Sequence, residues 1–142
     1  MSREYLFRAK AINRIAGREY RTDYKNVDWV YGLISRPYNE MFPTLPMEFR
    51  NENGVSGIEV DYKTVGQFTG LTDKKGKKIF EGDIVKVNGV ANATIIYNDN
   101  EACFSFDYGE NGRPLIVDLV EEHSIEVIGN IHDNPELIEK AE

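Results

Sequence analysis

The residues that come nearest to a chemical site are Gly70 to Lys78, where two glycines bracket a turn rich in lysine. A phosphate-cradling P-loop has four residues between its glycines, then a lysine followed by a magnesium-binding Ser or Thr. Here five residues separate Gly70 from Gly76, and Lys77 is followed by Lys78. The pattern reads as a solvated hairpin turn. Glu81 and Asp83 flank Gly82 and offer paired carboxylates, but that spacing suits a corner whose side chains cap nearby backbone amides. The two histidines, His123 and His132, lack the i, i+4 pairing of a helical zinc motif. Cys103 alternates with Phe104 inside an apolar run, the setting of a packed thiol rather than an activated one. Ser105 or Ser124 beside His123 has no nucleophile elbow to supply an oxyanion site. These residues assign no catalytic, cofactor or metal site, and the chain reads as a binding protein rather than an enzyme.

Two further groups suit binding. Arg14, Arg18 and Arg21, together with Lys74, Lys75, Lys77 and Lys78 of the turn, would make a local nucleic-acid patch if the fold brings them together. Trp29, Tyr31, Tyr38, Met41 and Phe42 are of the aromatic and soft apolar kind that anchors protein interfaces. They are equally the material of a core. The formal net charge of −7 argues against general phosphate-backbone binding. Acid gathers at the end, from Asp118 to Glu142, whereas the start from Arg3 to Lys25 is basic. Such opposed ends invite pairing within or between molecules. A protein partner or self-association is therefore the leading expectation, and nucleic acid the second.

The elements that must position these groups are strands. In a chain of 142 residues, 41% of them hydrophobic, there is material for one domain or two small ones. Tyr5 to Lys10 is a short strand with imperfect alternation, since both faces carry apolar residues, whereas Val27 to Ile34 alternates at period two, with Val27, Trp29, Tyr31 and Leu33 expected to form the half-buried face. Ala11 to Lys25 reads as a loop or short helix. Pro37, Pro43 and Pro46 make the following segment irregular. Gly57 to Lys63 alternates cleanly. Asp73 to Gly76 is a hairpin tip, Gly82 a corner requiring positive φ, and Asn88-Gly89 a type I′ turn. Val90 to Tyr97, Ala102 to Tyr108, Leu115 to Val120 and Ile125 to Ile131 are further strands, with Gly109 to Pro114 a loop. Asn134-Pro135-Glu136 predicts a short C-terminal helix. Closely spaced short strands without intervening helical patterns point to a mainly β protein containing a small antiparallel barrel or roll.

Several motifs resemble the YopX family of small proteins encoded by phages and prophages. They are Val65-Gly-Gln-Phe-Thr-Gly-Leu71, Asp73-Lys-Lys-Gly-Lys77, Ile79-Phe-Glu-Gly-Asp-Ile-Val85, Ile125-Glu-Val-Ile-Gly-Asn-Ile131 and Asn134-Pro135-Glu136-Leu137, with Phe7-Arg8 and Trp29-Val-Tyr-Gly32 in the first half. Ala11 to Asp28 and Arg36 to Asn53 are longer than the family pattern. The resemblance implies a β-rich region over 1–66, an SH3-like β-roll over 67–132, and a short helix with an acidic tail over 133–142. It implies no activity, cofactor or catalytic residue. One cysteine, no apolar run of membrane-spanning length and no secretory h-region in the given N-terminus make the expected location cytoplasmic.

Overall fold

A computed structural model describes residues 5–12, 29–109 and 124–138, together with the backbone of 14–15, 18–19 and 112–114. The chain divides into two compact units, Met1–Gln67 and Phe68–Glu142. Both are built from antiparallel strands.

The first unit contains β1 (Phe7–Lys10), β2 (Arg14–Ile15), β3 (Arg18–Glu19), β4 (Trp29–Arg36), β5 (Met47–Asn51) and β6 (Ile58–Val60). Its main sheet runs β6–β5–β4–β1, and the first residues of β7 (Gly66–Thr72) lie beside β1 through Phe7↔Gln67 and Arg8↔Gly66. The chain leaving β1 returns to β6: Ile12 N–H donates to Glu59 O at 2.7 Å and Asp61 N–H to Lys10 O at 2.9 Å. This wraps the sheet around Ala9, Met47, Phe49 and Val60, against which Phe7, Val30, Ile34, Ile58 and Val65 pack.

That core reverses the expectation for β4. The period of two holds, but Val30, Gly32 and Ile34 face the core while Tyr31 and Leu33 stay 37% and 51% exposed. Gly32 lies on that inner face, and its missing side chain lets β5 approach: a Cβ there would overlap the carbonyl oxygen of Arg50. β5 itself was hidden behind the three prolines. Within Ala11 to Lys25, expected to be a loop or short helix, Ala11 bridges to Val60 and Arg14–Ile15 pair antiparallel with Arg18–Glu19 as β2 and β3. Tyr62 leaves the expected Gly57–Lys63 strand for a single 3₁₀ turn, Tyr62–Thr64, whose Lys63 N–H is capped by the Asp61 carboxylate at 3.0 Å.

The second unit holds the rest of β7, then β8 (Lys78–Phe80), β9 (Asp83–Val87), β10 (Ala91–Asn98), β11 (Cys103–Asp107), β12 (Gly112–Pro114) and β13 (Ile125–Asn130). Five strands run in the order β12–β11–β10–β9–β13, and β7 pairs with β8 from Phe68 onward. Ile79, Val85, Val87, Ala93, Ile95, Phe106 and Ile125 form the core. Each large aliphatic or aromatic among them contributes about 1.5–3 kcal/mol through burial. The Asn88-Gly89 turn has φ of 54° and 69°, as a type I′ hairpin requires, and Gly82 has φ of 91°.

No closed barrel forms among the described residues, since the five-stranded sheet ends at β12 and β13. The expected loop at Gly109 to Pro114 contains β12, because Phe106 and Asp107 find partners in Arg113 and Gly112. The expected strand at Leu115 to Val120 lies outside the described residues. The C-terminal helix is reduced to one 3₁₀ turn, Pro135–Leu137. Asn134, expected to cap it, instead accepts from Asn130 N–H at 3.2 Å. That bond draws the cap into the corner after β13.

Candidate interaction surfaces

Asp73 builds the lysine turn. One of its carboxylate oxygens accepts the backbone N–H groups of Lys75 and Lys77, each at 2.9 Å, and the other accepts Val127 N–H at 3.0 Å. Burial pushes the Asp73 carboxyl up. The Val127, Lys77 and Lys75 amides and the Lys77 charge outweigh it and hold the group below the ordinary carboxylate range. Lys74 N–H also donates to Ile125 O at 3.0 Å. The tip is thus clasped to the edge of β13, where it satisfies strand groups that an open edge would present to another chain. The Lys74 and Lys75 ammoniums lie 3.9 and 3.4 Å from Glu126 Oε1, and Lys78 lies 5.3 Å over the Phe68 ring. These contacts make the tip an edge cap, with no helix following it to bind phosphate.

Other residues singled out in the sequence make local contacts, while His123 lies outside the described residues. Asp83 is buried and accepts Phe80 N–H at 2.7 Å, fixing the corner around Gly82. Cys103 is half-buried with Sγ 3.8 Å from Oγ of the buried Ser105. His132 follows Asn130, whose side-chain oxygen accepts His132 and Asp133 N–H at 3.0 and 2.9 Å. Among the described residues no three acidic, histidine or cysteine side chains gather as a metal site. A groove of about 320 Å³ lies beside Asn92, whose amide donates to Leu137 O at 3.0 Å and docks the last turn.

Of the proposed nucleic-acid patch, Arg14 and Arg18 have described backbone in the β2–β3 hairpin, and Arg21 lies outside the described residues. These arginines belong to the first unit and the lysine tip to the second.

The five interface candidates separate into two groups within the first unit. Trp29 and Tyr31 lie on the outer face of β4. Trp29 is half-buried, with the Arg8 guanidinium 4.7 Å and the Lys10 ammonium 5.4 Å from its ring. Tyr38, Met41 and Phe42 lie on the segment between β4 and β5. Its far end is fastened by Arg36, which donates twice to Pro46 O, at 3.0 and 2.7 Å, and pairs with Glu48 at 2.9 Å. Inside it, Asn39 accepts Met41 N–H through its side chain and Phe42 N–H through its carbonyl, and Leu45 N–H donates to Phe42 O. The braced loop leaves Met41, Phe42 and Leu45 exposed by 82%, 55% and 50%.

Tyr38 stacks on Tyr62 with ring centroids 3.9 Å apart and an interplanar angle of 14°. The hydrogen bond between their hydroxyls, with lesser help from desolvation, raises the Tyr38 pKa above the ordinary tyrosine value. Beneath them runs a groove of about 370 Å³ lined by Pro43, Leu45, Pro46, Met47 and Lys63. Leu45 and Tyr62 join this surface although sequence reasoning did not single them out as contacts. Leu45 sits between two prolines, a detectable signal; Tyr62 was placed in a strand.

Three comparisons bear on what this chain is. A search of curated proteins finds no match. Among solved structures, the chain is similar to the crystal structure of protein EF1440 from Enterococcus faecalis. The TM-score is 0.57 at 24% identity, covering 97% of this chain and 100% of that one. This likeness speaks to the fold. The family model described as YopX protein matches residues 19–139, which takes in most of both units. The chain belongs to the YopX family.

Proposed function

We propose that the protein is a phage- or prophage-derived accessory protein that works as an assembly module, contacting another protein through the loop between β4 and β5. The observation that carries this reading is the combination of bracing and exposure. Arg36 and Asn39 hold the loop in place while Met41, Phe42 and Leu45 stay exposed beside the Tyr38–Tyr62 stack. Keeping large apolar side chains in water on an ordered loop has a cost that burial against a partner recovers. Soft Met and aromatic side chains are also those enriched in interface cores. The opposed charge of the chain's two ends supports a second copy as the simplest partner. A reducing, cytoplasmic setting agrees with a lone cysteine, and among the described residues no helix is long and apolar enough to cross a membrane.

Static light scattering over a range of protein concentrations, followed by a host-lysate pull-down, tests the reading. It expects association or retained protein that is lost in Met41→Ser/Phe42→Ser. A strict monomer that retains nothing would remove it.

A further inference from the structure

We propose that the loop between β4 and β5 makes a reciprocal contact between two copies of this chain, in which Met41 and Phe42 of each copy enter the groove beneath the Tyr38–Tyr62 stack of the other. The inference rests on the reading above that this loop makes the protein contact, and it names both the partner and the surface that receives the loop. Tip and groove match in kind. Met41 and Phe42 are 82% and 55% exposed, and neither lines the groove beside them. Two turns hold them out of it, with Phe42 N–H donating to Asn39 O and Leu45 N–H to Phe42 O, both at 3.0 Å. The groove, about 370 Å³, is walled by Tyr38, Pro43, Leu45, Pro46, Met47 and Tyr62. That space suits an apolar side chain of aromatic size. The tyrosine rings offer good contacts to both a phenylalanine and a thioether.

Charge sorts the same way. Glu40 precedes the tip and Lys63 lies on the rim of the groove, both exposed and neither in an ion pair among the described residues. Asp61, also on the rim, is turned to cap Lys63 N–H at 3.0 Å. In the paired arrangement each Glu40 meets the Lys63 of the other copy. Because the loop carries the tip and also forms one wall of the groove, a single two-fold axis beside it satisfies both contacts at once, as in an isologous dimer. An unrelated partner would have to supply separately a cavity for the tip and a plug for the groove.

Sedimentation equilibrium of the full-length protein tests this. Wild type is expected to dimerise, and Met41→Ser/Phe42→Ser and Leu45→Arg are each expected to be monomeric. Mixed together, these two variants should form a heterodimer weaker than the wild-type dimer, since the intact tip of one still meets the intact groove of the other. Glu40→Lys and Lys63→Glu should each weaken the dimer about ten-fold, two symmetric ion pairs being reversed. Glu40→Lys/Lys63→Glu should recover it, with circular dichroism showing every variant folded.

A wild type that stays monomeric overturns the inference, and retention of a host protein through Met41 and Phe42 would then leave the reading of the loop standing alone. Dimers undiminished in Met41→Ser/Phe42→Ser overturn both. Dimers undiminished in Leu45→Arg, a mixture that stays monomeric, or a double charge variant no stronger than the single ones overturn the reciprocal contact only.

Discussion

A single carboxylate in the lysine turn holds three amides, two from the turn and one from β13. Asp73 is 7% exposed and accepts from Lys75, Lys77 and Val127. Its charged form is favoured by folding, so it contributes stability above the unfolded-state pKa of about 3.9 and loses that contribution as pH falls through the lower folded value. In Asp73→Asn, either the Val127 amide or the turn amides would face an NH₂ group. The expected cost is about 1–3 kcal/mol at neutral pH, read by urea denaturation. The gap between wild type and variant should narrow as pH falls below the unfolded-state value and the native carboxyl takes up its proton. Aspartate followed by Lys-Lys-Gly was legible in the sequence as a turn. The bond to Val127 was not, because it links positions 54 residues apart.

Among the elements, turns were easier to read than faces. Asn88-Gly89 and Gly82 announce themselves, since their conformations follow from which residues tolerate positive φ. β4 did not, because apolar residues occupy both of its faces and the alternation alone cannot say which one is inside. On the inner face, Gly32 is the position where β5 comes closest. Gly32→Ala is expected to separate β4 from β5 and cost about 3 kcal/mol or more, seen as a lowered midpoint of thermal unfolding. β5 escaped notice because prolines at 37, 43 and 46 dominate the preceding stretch, and β12 because its strand is too short to show alternation. The opposite change is expected at Ala102, which holds a φ of 53° after the Asn98–Asn100 turn. Left-handed backbone costs an alanine about 1–2 kcal/mol, and glycine's greater freedom when unfolded takes back part of that. Ala102→Gly should therefore stabilise the protein by up to about 1 kcal/mol, measured by the same melts.

For the whole molecule, the sequence supported a mainly β chain of the YopX family but not the surfaces on which a function would act. The five apolar interface candidates could equally have been core. Burial separates them: Trp29 is half-buried under two cations, whereas Met41 and Phe42 are held in solvent by a braced loop. The lysine tip, the most site-like stretch by composition, is engaged in capping β13. An assembly module working through the loop makes the central claim, and it is separable from fold stability because Met41 and Phe42 bury little. The most direct measurement is sedimentation velocity of wild type and Met41→Ser/Phe42→Ser across the same concentrations, with host proteins added in a second series. The account predicts a faster-sedimenting species for wild type in at least one series and its loss in the variant, with unchanged melting temperature. Identical sedimentation of wild type and variant as single chains in both series would contradict it.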